Sequence, residues 1–225
     1  MLSRIGTSAL TALLALGLLA PASVTAQERT IAVKGSATQE VPNDTASLRF
    51  SVTKERKSRA AALRVVAVRL REVLSTVQAF PGVGPGDVST GQISIRKVFR
   101  GERPVYRASE GVTVILHQPE RAGEMIAAAI AAGATGTRGP DFFPGDPDLA
   151  YTNTLLAAFD QAKAKASALA ARAGAVLGPA ISIEEGSELV PGQPAATKDA
   201  AGPAPPVKPG GSTVTATVRV VFELQ

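Results

Sequence analysis

The segment from Asp146 to Gly178 constrains the fold most, because it carries the signals of one long helix. Asp146 can cap the helix start, Pro147 suits its first turn, and Gly174 can adopt the left-handed conformation that ends a helix. Ten of the nineteen residues from 157 to 175 are alanine. Because alanine is so small, the helix backbone can lie close against a sheet or another helix. The sequence therefore predicts a helix about 40 Å long that braces a whole domain.

The side chains predicted to face the core recur along this helix at steps of three and four, which places them on one line. They are Thr152, Leu155, Phe159, Ala162, Ala166, Leu169 and Ala173. Several polar side chains face away from the centre of that line. They are Asp160, Gln161, Lys163, Lys165 and Arg172.

The first 26 residues have the layout of a secretory signal peptide. Arg4 precedes an apolar run over residues 9–20, and small residues lead to Ala26, where cleavage is expected. The run is too short for a membrane span, although a retained anchor is the alternative. The absence of cysteine excludes disulfides, lipoprotein acylation and thiolate metal ligands. We expect residues 1–26 to be removed and residues 27–225 to form one periplasmic domain, with outer-membrane association left open.

Alternation of apolar and polar residues predicts the strands. Ala46, Leu48, Phe50 and Val52 mark one strand, and Val214, Ala216, Val218, Val220, Phe222 and Leu224 mark the last. A strand from Val88 to Phe99 is predicted to turn at residues 100–102 and to return as Val105 to His117, which makes a hairpin. Shorter strands are predicted at Thr30 to Lys34, Thr137 to Phe143 and Pro179 to Glu185, the last through Ile181 and Ile183.

Two further segments have helical periodicity. Lys57 to Phe80 has an apolar face, and Pro119 opens a short helix that Gly133 closes. The inward residues are Leu63, Val66, Ala67, Leu70, Val73, Leu74 and Val77 in the first, and Met125, Ile126, Ala129 and Ile130 in the second. Val65 and Val68 widen the apolar arc of the first helix. This arc is either buried more than half-way round or a subunit contact, so Val65 and Val68 are candidate self-association residues.

Residues 187–211 are rich in proline, alanine and glycine and have almost no bulky apolar side chain. Such a segment buries too little surface to order itself. Because a regular strand follows it, we predict a long exposed loop within one domain. The pattern as a whole predicts an α+β fold in which a mixed or antiparallel sheet packs against two long helices and one short helix.

The run from Ala158 to Gly178 resembles the A-x-x-x-A-x-x-K-A-x-x-L-A-x-x-x-G-x-x-L-G helix of the SIMPL (DUF541) family. Three other segments are similar to that family in the same order. Residues 106–114 resemble its Y-R-A-S-x-x-V-x-V strand, residues 132–134 its A-G-A turn, and residues 214–222 its closing strand. Residues 35–46 resemble its opening segment, except that Asn43 stands between Pro42 and Asp44 and leaves that turn open. The resemblance implies an exported α+β domain that tends to self-assemble, with no established catalytic activity and with roles in the cell envelope and oxidative stress.

The sequence offers no catalytic constellation. His117 is the only histidine, and no serine stands in a nucleophile-elbow setting, so His117 is interpreted as a structural or surface residue. Asp141, Asp146 and Asp148 have the oxygen chemistry of a calcium site, but helix capping is the preferred interpretation. We therefore predict no catalytic, metal or cofactor site and no small-molecule substrate.

The formal net charge of +5 favours anionic partners, although nucleic acid is not expected for an exported protein. Seven basic residues surround the start of the first long helix: Lys54, Arg56, Lys57, Arg59, Arg64, Arg69 and Arg71. A solvated helix face is the default interpretation. The functional alternative is contact of Lys57, Arg64 and Arg71 with an anionic membrane or envelope surface.

Two hypotheses of function follow. The first is a non-enzymatic envelope protein that works as a homo-oligomer. The second is a binding module that captures a protein or an anionic partner through the proline-rich loop or the basic first helix.

Overall fold

A computed structural model describes residues 29–186 and 207–225, and it confirms the α+β class. The predicted signal peptide and residues 187–206 of the predicted loop lie outside the described residues. The strands are β1 (Thr30–Pro42), β2 (Thr45–Arg56), β3 (Val88–Thr90), β4 (Ser94–Arg100), β5 (Arg103–Leu116), β6 (Gly136–Phe143), β7 (Leu177–Gly186) and β8 (Gly211–Leu224). The helices are α1 (Arg59–Gln78), α2 (Ala122–Ala131) and α3 (Pro147–Arg172), with a short 3-10 turn at Pro119–Arg121 before α2.

The strands divide between two sheets in which every pairing is antiparallel. One sheet has the order β1-β8-β7, and the other has the order β3-β5-β2-β6 with β4 also paired to β5. The predicted hairpin is confirmed, because Arg100 pairs with Arg103 across a two-residue turn. Its first arm is interrupted at residues 91–93, where the continuous strand predicted from Val88 to Phe99 is wrong. The first strand is longer than predicted and runs to Pro42.

The larger sheet packs one face against α1 and α2. Ala46, Leu48, Phe50 and Val52 are fully buried as predicted, together with Val112, Val114 and Leu116 of β5. Helix α1 buries the line Ala62, Val66, Leu70, Val73 and Val77.

Two inward assignments on these helices are wrong. Leu63 is 37% exposed because Ala62, one residue or about 100° away, occupies the centre of the buried face. Ile130 is 54% exposed, since it follows buried Ala129 and so points past the sheet.

Helix α3 packs on the smaller sheet, but the predicted stripe is rotated. The buried line is Ala150, Thr154, Ala158, Ala162, Ala166 and Ala170, at steps of four. Ala162 and Ala166 were assigned correctly, Leu155 and Phe159 are half-buried beside the line, and Thr152, Leu169 and Ala173 are exposed. The reason is close approach to Gly35 of β1. A Cβ atom built there would lie 2.8 Å from the Ala162 nitrogen and 2.9 Å from its Cβ.

The ends of α3 agree with the sequence signals. The Asp146 carboxylate accepts a hydrogen bond of 2.8 Å from the Leu149 amide, and Gly174 has φ 69° just beyond the helix. The same helix covers the outer edge of β1. Gln161 Oε1 accepts from the Ser36 amide at 2.8 Å, and Lys165 Nζ donates to the Lys34 carbonyl at 3.1 Å. The Ser36 amide and the Lys34 carbonyl therefore form hydrogen bonds with side chains in place of a neighbouring strand.

Asn43 and Asp44 join the two sheets. Asn43, which is 4% exposed, donates from Nδ2 to the Pro209 carbonyl at 3.0 Å and accepts from the Ser212 hydroxyl at 2.6 Å. Asp44 Oδ1 accepts from the Gly145 amide at 2.6 Å, just before α3. Asn43 and Asp44 therefore connect the β1–β2 turn to the segment before α3 and to the start of β8.

Candidate functional site

The single histidine lies on the surface. His117 Nε2 is 3.0 Å from Asp87 Oδ2, and its side chain is 54% exposed. The Asp87 carboxylate also accepts from the Gly84 amide at 2.6 Å, so this contact fixes the loop after α1. No serine hydroxyl is hydrogen-bonded to His117 in the described part of the chain. This arrangement suits a structural role.

The carboxylates considered for calcium have other positions. Asp146 caps α3, Asp148 follows in its first turn, and Asp141 lies opposite Ser47 on β6. Within residues 29–186 and 207–225, no group of three or more histidine, cysteine, aspartate or glutamate side chains is arranged to hold a metal ion.

The outer face of α1 carries most of the residues assigned to interaction from sequence. Arg64, Val68 and Arg71 recur at steps of four and three, so they share the line opposite the buried one. All three are exposed, with Val68 at 47%, and Lys57 is exposed just before the helix cap. Val65 is half-buried beside the Arg69–Glu72 ion pair of 2.7 Å. Val68 therefore lies on a line with two arginines, and Val65 lies one turn before it on the adjacent side of the helix.

The face of the larger sheet turned away from α1 and α2 carries a second basic surface, which sequence reasoning missed. Alternation places Arg49 and Glu55 of β2 on this face, because their neighbours Leu48 and Val52 are buried on the other. The strand register sets Arg49 opposite Arg138, Arg96 opposite Arg107, and Arg100 opposite Arg103. We call these six residues the arginine face. Arg49 stood at a polar position of an alternating pattern, but without the register its convergence with the other five was not visible.

Glu55 is the carboxylate that pairs with the arginine face. It accepts two hydrogen bonds of 2.9 Å from Arg100 and one of 2.8 Å from Arg107. These two guanidinium groups, Arg100 first, hold the pKa of Glu55 below its ordinary value, and Glu55 in turn raises the pKa of Arg100. Serine and threonine hydroxyls lie among the arginines, as shown by the 2.8 Å contact between Thr53 and Ser109.

The smaller sheet ends in an unpaired apolar edge at β7. Val176, Ile181 and Ile183 are 68%, 53% and 59% exposed, and no described strand pairs with the outer side of β7. A hydrogen bond joins the strand to α3: the Tyr151 hydroxyl donates to Glu185 at 2.7 Å, which raises the pKa of Tyr151. An exposed apolar edge is a template for pairing with another chain.

No helix within the described ranges is long and apolar enough to cross a membrane.

A family model described as SIMPL, protein of unknown function (DUF541), matches residues 31–222. The chain is 26% identical over 219 residues to the 26 kDa periplasmic immunogenic protein of Brucella melitensis biotype 1. This alignment covers 90% of this chain and 87% of the relative. The protein of the same name from Brucella abortus strain S19 gives the same identity and coverage.

Proposed function

Since the chain belongs to the SIMPL (DUF541) family, we propose that it is a non-enzymatic periplasmic protein of the cell envelope that works as a homo-oligomer. The observation that carries the proposal is the apolar edge of β7. Antiparallel pairing of this edge with a second copy would bring Ile181 and Ile183 of both chains together and remove them from water. Two relatives named as periplasmic support the compartment, and the expected cleavage after Ala26 and outer-membrane association belong to the same proposal.

The chemistry of the chain supports a role without catalysis. Its one histidine is tied to Asp87 at the surface. A role in envelope or oxidative stress, which the family resemblance implies, would not use a thiol of this protein, because the chain has no cysteine. Such a role would instead depend on what the assembly holds or covers.

The test is the mass in solution of residues 27–225, measured by light scattering over a dilution series. We expect a discrete multimer in the unmodified protein. Ile183→Lys should dissociate it, because a charged side chain on an edge strand opposes pairing. A monomer at every concentration would end the self-association proposal.

Val68→Lys is the matched control, since it adds the same charge at a residue of similar exposure on α1. If Val68→Lys, or the combination of Val65→Asp with Val68→Asp, dissociates the multimer while Ile183→Lys does not, the interface lies on α1 and not on β7. That outcome keeps the assembly and moves it to the residues that the sequence pattern favoured.

A second candidate function is capture of an anionic partner by the outer face of α1. The line Arg64, Val68 and Arg71, with Lys57 nearby, supports it. Capture of a protein through the proline-rich loop is the other form of this candidate. Deleting residues 187–206 distinguishes them, because loop-mediated capture would be lost while helix-mediated contacts and the assembly would survive.

A further inference from the structure

The strongest unassigned feature is the concentration of positive charge where β4 turns into β5. Residues 96–107 carry five basic side chains and one carboxylate. Arg96, Arg100 and Arg103 are exposed, and Arg107 is half-buried against Glu55. Like charges placed directly opposite on neighbouring strands destabilise a sheet. Glu55 pairs with one arginine of each opposed pair, Arg100 and Arg107, which leaves Arg96 and Arg103 on the same surface to contact an anionic ligand.

The shape of this surface decides the size of the ligand. The arginine face extends over β6, β2, β5 and β4, three strand spacings or about 14 Å, so one small anion cannot contact it all. It is the flank of a sheet, and no described helix packs on it. A broad surface of guanidinium groups is complementary to an array of phosphates, which arginine can bind through two parallel hydrogen bonds.

The hairpin tip carries an exposed aromatic ring on the side of β4 opposite to Arg96 and Arg100, because alternation turns Phe99 to the same side as Ile95. Phe99, next to Arg100, is 64% exposed, and the Lys97 ammonium lies 5.4 Å from the centre of its ring. The whole turn from Phe99 to Pro104 is exposed. An exposed aromatic ring surrounded by basic side chains is typical of segments that enter the headgroup region of a membrane.

We propose that the β4–β5 hairpin and the arginine face bind the surface of an anionic phospholipid membrane. The end of the hairpin points into the headgroup region, so that Arg96, Arg100 and Arg103 contact phosphates from one side of it and Phe99 enters the interface from the other. This site lies on the larger sheet, whereas the self-association proposed above uses β7 of the smaller one. The two proposals therefore stand or fall separately.

The first experiment is flotation of residues 27–225 with vesicles of equal parts phosphatidylcholine and phosphatidylglycerol, and with phosphatidylcholine alone. We expect the protein to float only with the anionic vesicles at low salt. Arg96→Gln with Arg103→Gln should weaken partitioning roughly 30-fold, because each basic residue near such a surface contributes about fivefold. Arg96→Lys with Arg103→Lys keeps the charge and should retain most of the binding.

The matched control is Lys163→Gln with Arg172→Gln, which removes the same charge from exposed positions of α3. It should change partitioning by no more than about twofold. If Arg64→Gln with Arg71→Gln on α1 loses binding while the hairpin variant keeps it, α1 is the membrane-binding element and the proposal is wrong. Equal losses in the hairpin variant and the α3 control would show attraction by net charge alone, which also overturns it.

A fluorescence measurement tests insertion directly, because the chain contains no tryptophan. Phe99→Trp places the only indole at the hairpin tip, and its emission should shift to the blue on adding anionic vesicles. Val68→Trp on α1 should show no shift. An unmoved Phe99→Trp emission would overturn the membrane proposal. If soluble heparin binds as tightly as the vesicles, and Phe99→Ser affects neither, the surface belongs to a polyanionic polymer and the membrane proposal is also wrong.

Discussion

Gly35 shows how one residue sets the position of the longest helix. Helix α3 lies so close to β1 that a methyl group at residue 35 would meet the Ala162 nitrogen at 2.8 Å and its Cβ at 2.9 Å. The alanine content of α3 was visible in the sequence, and it correctly indicated close packing. Which alanines face the sheet was not visible, because the alanine-rich segment offers several lines of similar hydrophobicity. Contact with a glycine 127 positions earlier made the choice.

Gly35→Ala should therefore destabilise the protein. We expect a loss of about 1–3 kcal/mol in the free energy of unfolding, since the obstructing atoms belong to helix backbone and cannot move aside cheaply. Urea unfolding followed by circular dichroism measures it. Gly86→Ala is the control, because its added methyl group meets nothing within 4 Å. Equal stability of the two variants would contradict the close packing.

Glu55 makes a prediction about pH. Its pKa is lowered in the folded protein from an ordinary value of 4.5, so the unfolded chain binds its proton more readily. Its contribution to stability is therefore fully present above pH 4.5 and is lost as the pH falls through the lower folded-state pKa. The difference in unfolding midpoint between the unmodified protein and Glu55→Gln should shrink over that acid range. A Glu55→Gln difference that stays constant into acid would refute the pairing.

At the scale of elements, the sequence predicted most of what local chemistry controls. Caps, turns and alternation depend on neighbouring residues, and the start and end of α3, the hairpin and the regular strand β8 are confirmed. The break in the arm before the hairpin and the exposure of Ile181 and Ile183 depend on partners far along the chain. The arginine face was hidden for the same reason, since only the antiparallel pairing of β2 with β6 sets Arg49 opposite Arg138.

The N-terminal cap of α3 gives a prediction at this scale. Asp146→Ala removes the acceptor of the 2.8 Å hydrogen bond from the Leu149 amide. We expect a loss of about 1 kcal/mol in the free energy of unfolding. Asp146→Asn should retain most of the stability, because asparagine caps helices about as well. Thermal unfolding of the two variants provides the comparison, and an unchanged midpoint for Asp146→Ala would show that the cap is not needed.

At the scale of the whole molecule, two sheets with separate cores are connected through Asn43 and Asp44. The family resemblance identified residue 43 as a departure from the expected pattern, and the structure gives it a buried role with partners at Pro209 and Ser212. No local signal distinguishes such an asparagine from one in an exposed turn. Its function in the fold depends on a segment that lies more than 160 positions later in the chain.

Asn43→Ala should cost about 1–3 kcal/mol, because it leaves the Pro209 carbonyl without its donor in a part-buried site. Asn153→Ala, at an exposed position of α3, is the matched control and should change stability little. Hydrogen exchange adds a second measurement. In Asn43→Ala we expect faster exchange in β8 near Ser212, and loss of protection confined to residues far from this junction would argue against the tie.

The two edges of the smaller sheet differ in whether another copy of the chain can pair with them, and this limits how far the sheet can extend. Gln161 and Lys165 bond the Ser36 amide and the Lys34 carbonyl on the outer side of β1, while no strand in the described part of the chain pairs with the outer side of β7. A sheet with one available edge can extend only once: two copies joined through β7 present a blocked strand at each end. Such pairing closes as a symmetric dimer of six continuous strands and gives no template for a filament. Any larger assembly must then be built by joining these dimers through a different surface, so its subunit number should be even.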